Sequence, residues 1–171
     1  SVGLGKTFEA LAVIKYFSDR QDNILVLTPA KLYNNWDSYR DNDYEDNPLA
    51  DDVIKYKVLC HTDLSRYSGI SRSGIDLERF DWSRFDLIVI DESHNFRNRT
   101  EKEESETRYQ RLLETVVKKK THTKVLLLSA TPVNNSLTDL KNQISLITGD
   151  QDDAYEKYGI ESISQTLRKA S

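Results

Sequence analysis

Apolar residues in this chain fall into two kinds of run. Short, unbroken runs occur in "NILVLTP" (Ile24 to Leu27), "YKVLC" (ending at Cys60), "FDLIVIDE" (Leu87 to Ile90) and "KVLLLSATP" (Val125 to Leu128). A strand wetted on one face alternates polar and apolar positions; these four do not, so they read as strands of a sheet covered on both faces. Elsewhere apolar residues recur at helical steps. "KTFEALAVIKYFSDR" from Lys6 to Arg20 combines good helix formers with an apolar stretch, Ala10 to Ile14, too wide for a surface helix. The longest helix candidate runs from about Glu104 to Lys120, with a stripe of Tyr109, Leu112, Leu113, Val116 and Val117 and an acidic start and basic end that suit the helix dipole.

"SLTDLKNQISLI" repeats the pattern through Leu137, Leu140, Ile144 and Ile147, and Ser136 with Asp139 resembles a capping box. Thr28 before Pro29 reads as the cap and first position of another helix. One or two short helices are expected after Gly149. The acidic stretch from Asp41 to Asp52 and the Ser/Gly-rich stretch from Arg66 to Asp76 break the rhythm and read as surface loops. Buried strands separated by helices predict right-handed crossovers and an α/β fold with a mostly parallel central sheet and helices on both faces, whose ligands sit beyond the carboxyl ends of the strands.

Composition narrows this picture. At 171 residues the chain suffices for one domain with a real core, and no apolar run approaches the ~20 residues that span a bilayer. The net charge of −4 means that any nucleic-acid contact depends on local placement of donors rather than on a generally basic surface. Cys60 is the only cysteine; it reads as a buried strand residue and points to a reducing, intracellular setting.

Three stretches carry candidate chemistry. "SVGLGKT" matches all but the first position of the G-x-x-x-x-G-K-[ST] phosphate-binding loop. Gly3 and Gly5 let the backbone curl around Leu4 so that N–H groups face phosphate oxygens. Lys6 would neutralise phosphate charge, Thr7 would ligate Mg²⁺, and the helix beginning there adds its positive end. A Gly-rich turn before an ordinary helix is the plain alternative. Because the chain opens inside this motif, the strand that should lead into it is expected upstream of Ser1.

"FDLIVIDESH" is the second stretch. Its strand runs straight into Asp91 and Glu92, which as successive residues point in opposite directions. Asp91 can then face a metal ion while Glu92 reaches an attacking water. An isolated Asp-Glu pair is usually a surface turn; the four apolar residues before it argue otherwise. The third is "LLLSATPVNN", where Ser129, Ala130 and Thr131 follow a buried strand and the two hydroxyls suit a relay to the carboxylate segment, His94 included. Alone it would read as a Ser/Thr turn ahead of a capped helix.

Together these stretches resemble motifs I, II and III of superfamily-two helicases, with "DESH" of the DEAD/DEAH type. "SVGLGKT", "DESHNFRNR" and "LLLSATPVNNSLTDL" look like the Swi/Snf-related DNA translocases, particularly bacterial members. "LVLTPAKLYNNW" is similar to motif Ia and "VLCHTDLSR" stands in the place of motif Ib. The resemblance implies an N-terminal RecA-like lobe that binds ATP and Mg²⁺, works with a second RecA-like lobe and moves along duplex DNA in the bacterial cytoplasm. By that analogy Lys6 and Thr7 hold phosphates and metal, Asp91 organises Mg²⁺, and Glu92 positions or deprotonates the hydrolytic water. His94, Ser129 and Thr131 would couple nucleotide state to DNA. Thr28, Pro29, Ala30 and Lys31 lie where the family touches a phosphate backbone, which backbone amides can do without sequence readout.

The resemblance also implies an arginine finger on the second lobe. Such a finger is worth roughly 10³ to 10⁵ in rate, so an isolated first lobe should hydrolyse ATP poorly. Two other classes stay open: a nucleotide-dependent clamp or recruitment module that does not translocate, and an RNA-directed relative. "KKKTHTK" from Lys118 to Lys124 is explained by a helix C-terminus. Arg97 and Arg99 could touch nucleic acid, the second lobe or only solvent. His61 and His122 read as structural or exposed, since no Cys/His partners sit at metal-ligand spacing.

Overall fold

The computed structural model describes residues 4–41, 54–96, 108–117, 123–130 and 137–170. Four strands, β1 (Ile24–Thr28), β2 (Lys57–Cys60), β3 (Leu87–Ile90) and β4 (Lys124–Leu127), form one parallel sheet in the order β2-β1-β3-β4. β1 and β3 are the inner strands and are buried at every position, as their unbroken apolar runs predict. The outer strands differ: β2 exposes Lys57, and β4 is only half-buried from Val125 to Leu127. Every β1–β3 and β3–β4 pairing is in parallel register, with Leu27 beside Ile90 and Ile90 beside Leu127, so the ends of these strands share one rim.

Alternate side chains feed two cores. On one face, Ile24, Val26, Val58, Leu87 and Val89 pack with Ala10, Leu11 and Ile14 of α1 (Leu4–Asp19) and with Tyr33 and Trp36 of α2 (Tyr33–Asp41). On the other, Leu25, Leu27, Leu59, Ile88 and Ile90 meet Tyr109 and Leu112 of α3 (Arg108–Leu112), Leu146 of α4 (Leu137–Thr148), Trp82 and Phe85. Fully buried Leu and Ile side chains of this kind contribute about 1.5–3 kcal/mol each relative to exposure. A last short helix, α5 (Ile163–Lys169), is capped by Ser162, whose hydroxyl accepts from the Gln165 N–H. This is an α/β lobe of the RecA-like P-loop type.

Local expectations are corrected in three places. Thr28 is not a helix cap: it pairs with Cys60 as the last residue of β1, and Pro29 caps a short 3-10 turn, Ala30–Leu32, that leads into α2. The helix expected from Glu104 to Lys120 is α only through Leu112 and continues as a π turn over Leu113–Val117. Residues 104–107 and 118–120 lie outside the described residues.

The third correction concerns α4. Its buried face is not the apolar stripe but Asp139, Asn142, Gln143, Ser145 and Leu146, while Ile147 is exposed and Leu140 and Ile144 are half-buried. One polar partner is clear: the Gln143 side chain accepts from the buried Ser93 hydroxyl, while the Asn142 backbone carbonyl accepts from the buried Tyr109 hydroxyl. The Ser136 cap, the loop at 42–52, Arg97, Arg99 and His122 lie outside the described residues. The stretch from Arg66 to Asp76 is largely exposed, yet Ser71 within it is buried.

Candidate nucleotide site at the carboxyl rim

α1 begins at Leu4, so Gly5, Lys6 and Thr7 occupy its first turn, where backbone N–H groups lack intrahelical partners. Gly5 is exposed, and a Cβ there would meet open space. The Lys6 ammonium lies near enough to Asp91 to favour its charged form. Gly3 is outside the described residues.

Asp91 follows the last residue of β3, and its N–H donates to the Leu27 carbonyl at 2.9 Å, extending the β1–β3 ladder by one step. Both carboxylate oxygens are already engaged. Oδ2 accepts from the Trp36 indole Nε1 at 2.9 Å, and Oδ1 from the Glu92 N–H at 2.9 Å. Burial is the largest influence on this carboxyl and pushes its pKa up; the Trp36 and Glu92 bonds and Lys6 pull it down, while the Glu92 charge adds to the rise. A carboxylate has about four lone-pair sites, so each oxygen keeps one for a further partner. A Mg²⁺-type cation is ordinarily held through one or two carboxylates plus phosphate oxygens, and Asp91 with the Thr7 hydroxyl would suit such an ion.

Glu92 has a φ of 50°, the left-handed region that a non-glycine residue occupies at a cost of order 1–2 kcal/mol. Its carboxylate oxygen Oε2 meets His94 Nδ1 at 3.2 Å. The same nitrogen lies 3.5 Å from the Ser129 hydroxyl, so Glu92, His94 and Ser129 form one chain of polar contacts. Ala130 is exposed beside them, and Thr131 is outside the described residues. The turn after β3 is locked to β4, because the Ser93 N–H donates to the Leu128 carbonyl and the buried Ser93 hydroxyl to Gln143 Oε1.

Of the residues after β1, Ala30 and Lys31 are exposed, Pro29 is half-buried and Thr28 is fully enclosed. The Thr28 hydroxyl has no hydrogen-bond partner among the described residues. Arg72 holds this turn from outside, donating to the Ala30 carbonyl at 3.2 Å and to Asn34 Oδ1 at 2.8 Å while lying over the Tyr33 ring. His61, at the end of β2, is buried against Phe96 with its Nε2 at 3.3 Å from the Leu27 carbonyl. Burial lowers its pKa to about 4, against the opposing pull of the Leu27 and Asp91 carbonyls.

Sequence reasoning passed over Trp36 as a partner of Asp91, Arg72 and Gln143. Trp36 was visible only as the tryptophan of the motif Ia stretch. Arg72 sits in a stretch that reads as loop, and Gln143 on a helix face that reads as polar.

Comparison with known proteins places the chain in a family. The family described as "Type III restriction enzyme, res subunit" matches residues 1–134. The "Uncharacterized ATP-dependent helicase YqhH" of Bacillus subtilis (strain 168) is 30% identical over 152 residues, covering 85% of this chain and 25% of that protein. The chain thus spans about a quarter of the length of that curated relative. With a parallel RecA-like sheet that carries the Asp91–Glu92 turn at its carboxyl rim, the chain belongs to the type III restriction enzyme res-subunit family and is built as a helicase motor lobe.

Proposed function

We propose that this chain is the ATP-binding lobe of an ATP-dependent double-stranded DNA translocase, of the Swi/Snf-related branch of superfamily two, that hydrolyses ATP with Mg²⁺ to drive movement on DNA. The observation that carries the reading is the Asp91–Glu92 turn at the carboxyl rim, with Glu92 against His94 and Lys6 within electrostatic reach of Asp91. Lys6 and the first-turn amides of α1 would hold phosphates; Thr7 and Asp91 would hold the metal, which when bound neutralises phosphate charge. Glu92 would orient the attacking water and accept its proton. His94 and Ser129, in contact with Glu92, would report the nucleotide state toward the DNA-binding face, together with Thr131.

The sequence wording of motifs II and III supports the Swi/Snf-related branch, and the exposed Ala30 and Lys31 suit contact with a phosphate backbone alongside Pro29 and the Thr28 backbone. A second RecA-like lobe would supply the arginine that completes hydrolysis.

The test is hydrolysis by the full-length protein with no nucleic acid, with duplex DNA and with RNA, followed by displacement of a third strand from a DNA triplex. Stimulation by duplex DNA together with triplex displacement is expected. Equal rates with and without DNA count against the translocase; stimulation without displacement supports a clamp, and greater stimulation by RNA supports an RNA-directed relative.

A further inference from the structure

We infer that Trp36 is a positioning residue for Asp91: its indole N–H fixes the carboxylate plane in which a metal-bound nucleotide would be received. The inference rests on reading Asp91 as the metal carboxylate, and deepens it. Three observations carry it. Trp36 is 1% exposed and donates to Asp91 Oδ2 at 2.9 Å across 55 residues of sequence. The other oxygen, Oδ1, is held by the Glu92 N–H, so donors on both oxygens leave the carboxylate no free rotation. Trp36 is itself fixed, since its ring meets Tyr56 edge-on at 6.3 Å and the Tyr56 hydroxyl donates to the Trp36 carbonyl.

An indole N–H is a donor only. It therefore holds a carboxylate in place without competing for the cation, whereas a lysine or arginine at this position would add a positive charge beside the metal. A tyrosine or histidine could turn an acceptor toward Asp91. Phenylalanine keeps a flat ring against Tyr56 and removes the donor, though as a smaller ring at a buried position it also costs some stability. Groups that orient a metal-binding side chain typically account for about 10- to 100-fold in metal affinity or activity.

The geometry also ties two regions together. Trp36 lies on α2, which follows directly from the Pro29–Leu32 turn, so a displacement of that turn reaches Asp91 through one hydrogen bond.

The test uses the full-length protein and three forms: unaltered, Trp36→Phe and Asp91→Asn. Mn²⁺ binding in the presence of ADP is followed by the free-Mn²⁺ electron paramagnetic resonance signal, and the Mg²⁺ concentration for half-maximal hydrolysis is measured alongside. Trp36→Phe is expected to weaken Mn²⁺·ADP binding and raise the Mg²⁺ requirement about 10- to 100-fold, with KM for ATP at saturating Mg²⁺ little changed. The smaller ring lowers the thermal midpoint in either case; a merely structural tryptophan would leave the metal dependence alone. A second measurement needs no change at position 36. In the ¹⁵N-tryptophan-labelled protein, the Trp36 indole N–H resonance should broaden on addition of Mn²⁺·ADP and shift with Mg²⁺·ADP. Metal affinity and Mg²⁺ requirement in Trp36→Phe equal to the unaltered protein, with Asp91→Asn defective in both, would overturn the inference while leaving the reading of Asp91 intact; an unmoved resonance on metal addition would overturn both, since the indole N–H lies on Asp91 itself. Binding by Asp91→Asn equal to the unaltered protein would overturn both.

Discussion

The two rims of the sheet are built on different terms. At the amino rim, strand ends are joined mostly through backbone groups and short side chains: the Asn23 N–H donates to Asp86 Oδ2, the Asp86 N–H returns to the Asn23 carbonyl, the Lys124 N–H donates to the Asp86 carbonyl, and the Thr123 hydroxyl to that of Phe85. At the carboxyl rim, distant parts of the chain meet through side chains. Trp36 reaches Asp91, His61 the Leu27 carbonyl, Ser93 reaches Gln143 and His94 lies between Glu92 and Ser129. A φ of 50° at Glu92 and an unpartnered Thr28 hydroxyl among the described residues add local cost there. One rim finishes the sheet; the other holds buried polar groups in place for use, and such groups are expensive unless each partner is present.

The difference can be broken by substitution, and the largest effect falls at the carboxyl rim. Lys6→Ala and Glu92→Gln are each expected to reduce ATP hydrolysis by the full-length protein by about 10²- to 10⁴-fold, with thermal midpoints within a few degrees of the unaltered protein. A steady-state phosphate-release assay checks the first part and calorimetry the second. Retention of activity in either variant would remove the functional meaning of the contrast.

Acid should strike the same rim next. His61 has its pKa lowered from 6.5 to about 4 by burial, so between these values the unfolded chain takes up a proton that the folded chain refuses. Stability from this group is present above pH 6.5 and is lost as pH falls toward 4, by about 3 kcal/mol in all. Urea denaturation at pH 7, 5.5 and 4 measures it, and His61→Gln should flatten that limb.

Two smaller effects sharpen the comparison. Ser93→Ala removes a buried hydrogen bond to the Gln143 side chain and should cost about 1 kcal/mol of stability, read from a denaturant midpoint. Asp86→Ala, at the amino rim, should cost about 1 kcal/mol and leave hydrolysis per folded molecule unchanged. A loss of activity in Asp86→Ala without a loss of stability would show that the rims are not separate in their work.

Much of this was legible in the order of residues. Four apolar runs without alternation determined a buried parallel sheet, because strands covered on both faces have no polar side to show. The lengths of chain between them left room for crossing segments, and the phosphate-loop sequence with the Asp91–Glu92 turn named the candidate chemistry before any coordinates. What pattern could not reveal were the contacts among side chains. That α4 buries Gln143 rather than its apolar stripe follows from a partner on the turn after β3, which no window along the helix contains. That Trp36 serves Asp91, and that Arg72 secures the turn at Ala30, depends on strands β1 and β3 lying side by side and on a loop folding back across them. Periodicity reports which face of an element avoids water, a local quantity; a hydrogen bond between residues far apart in the chain depends on register and packing, and these exist only once the chain has closed on itself.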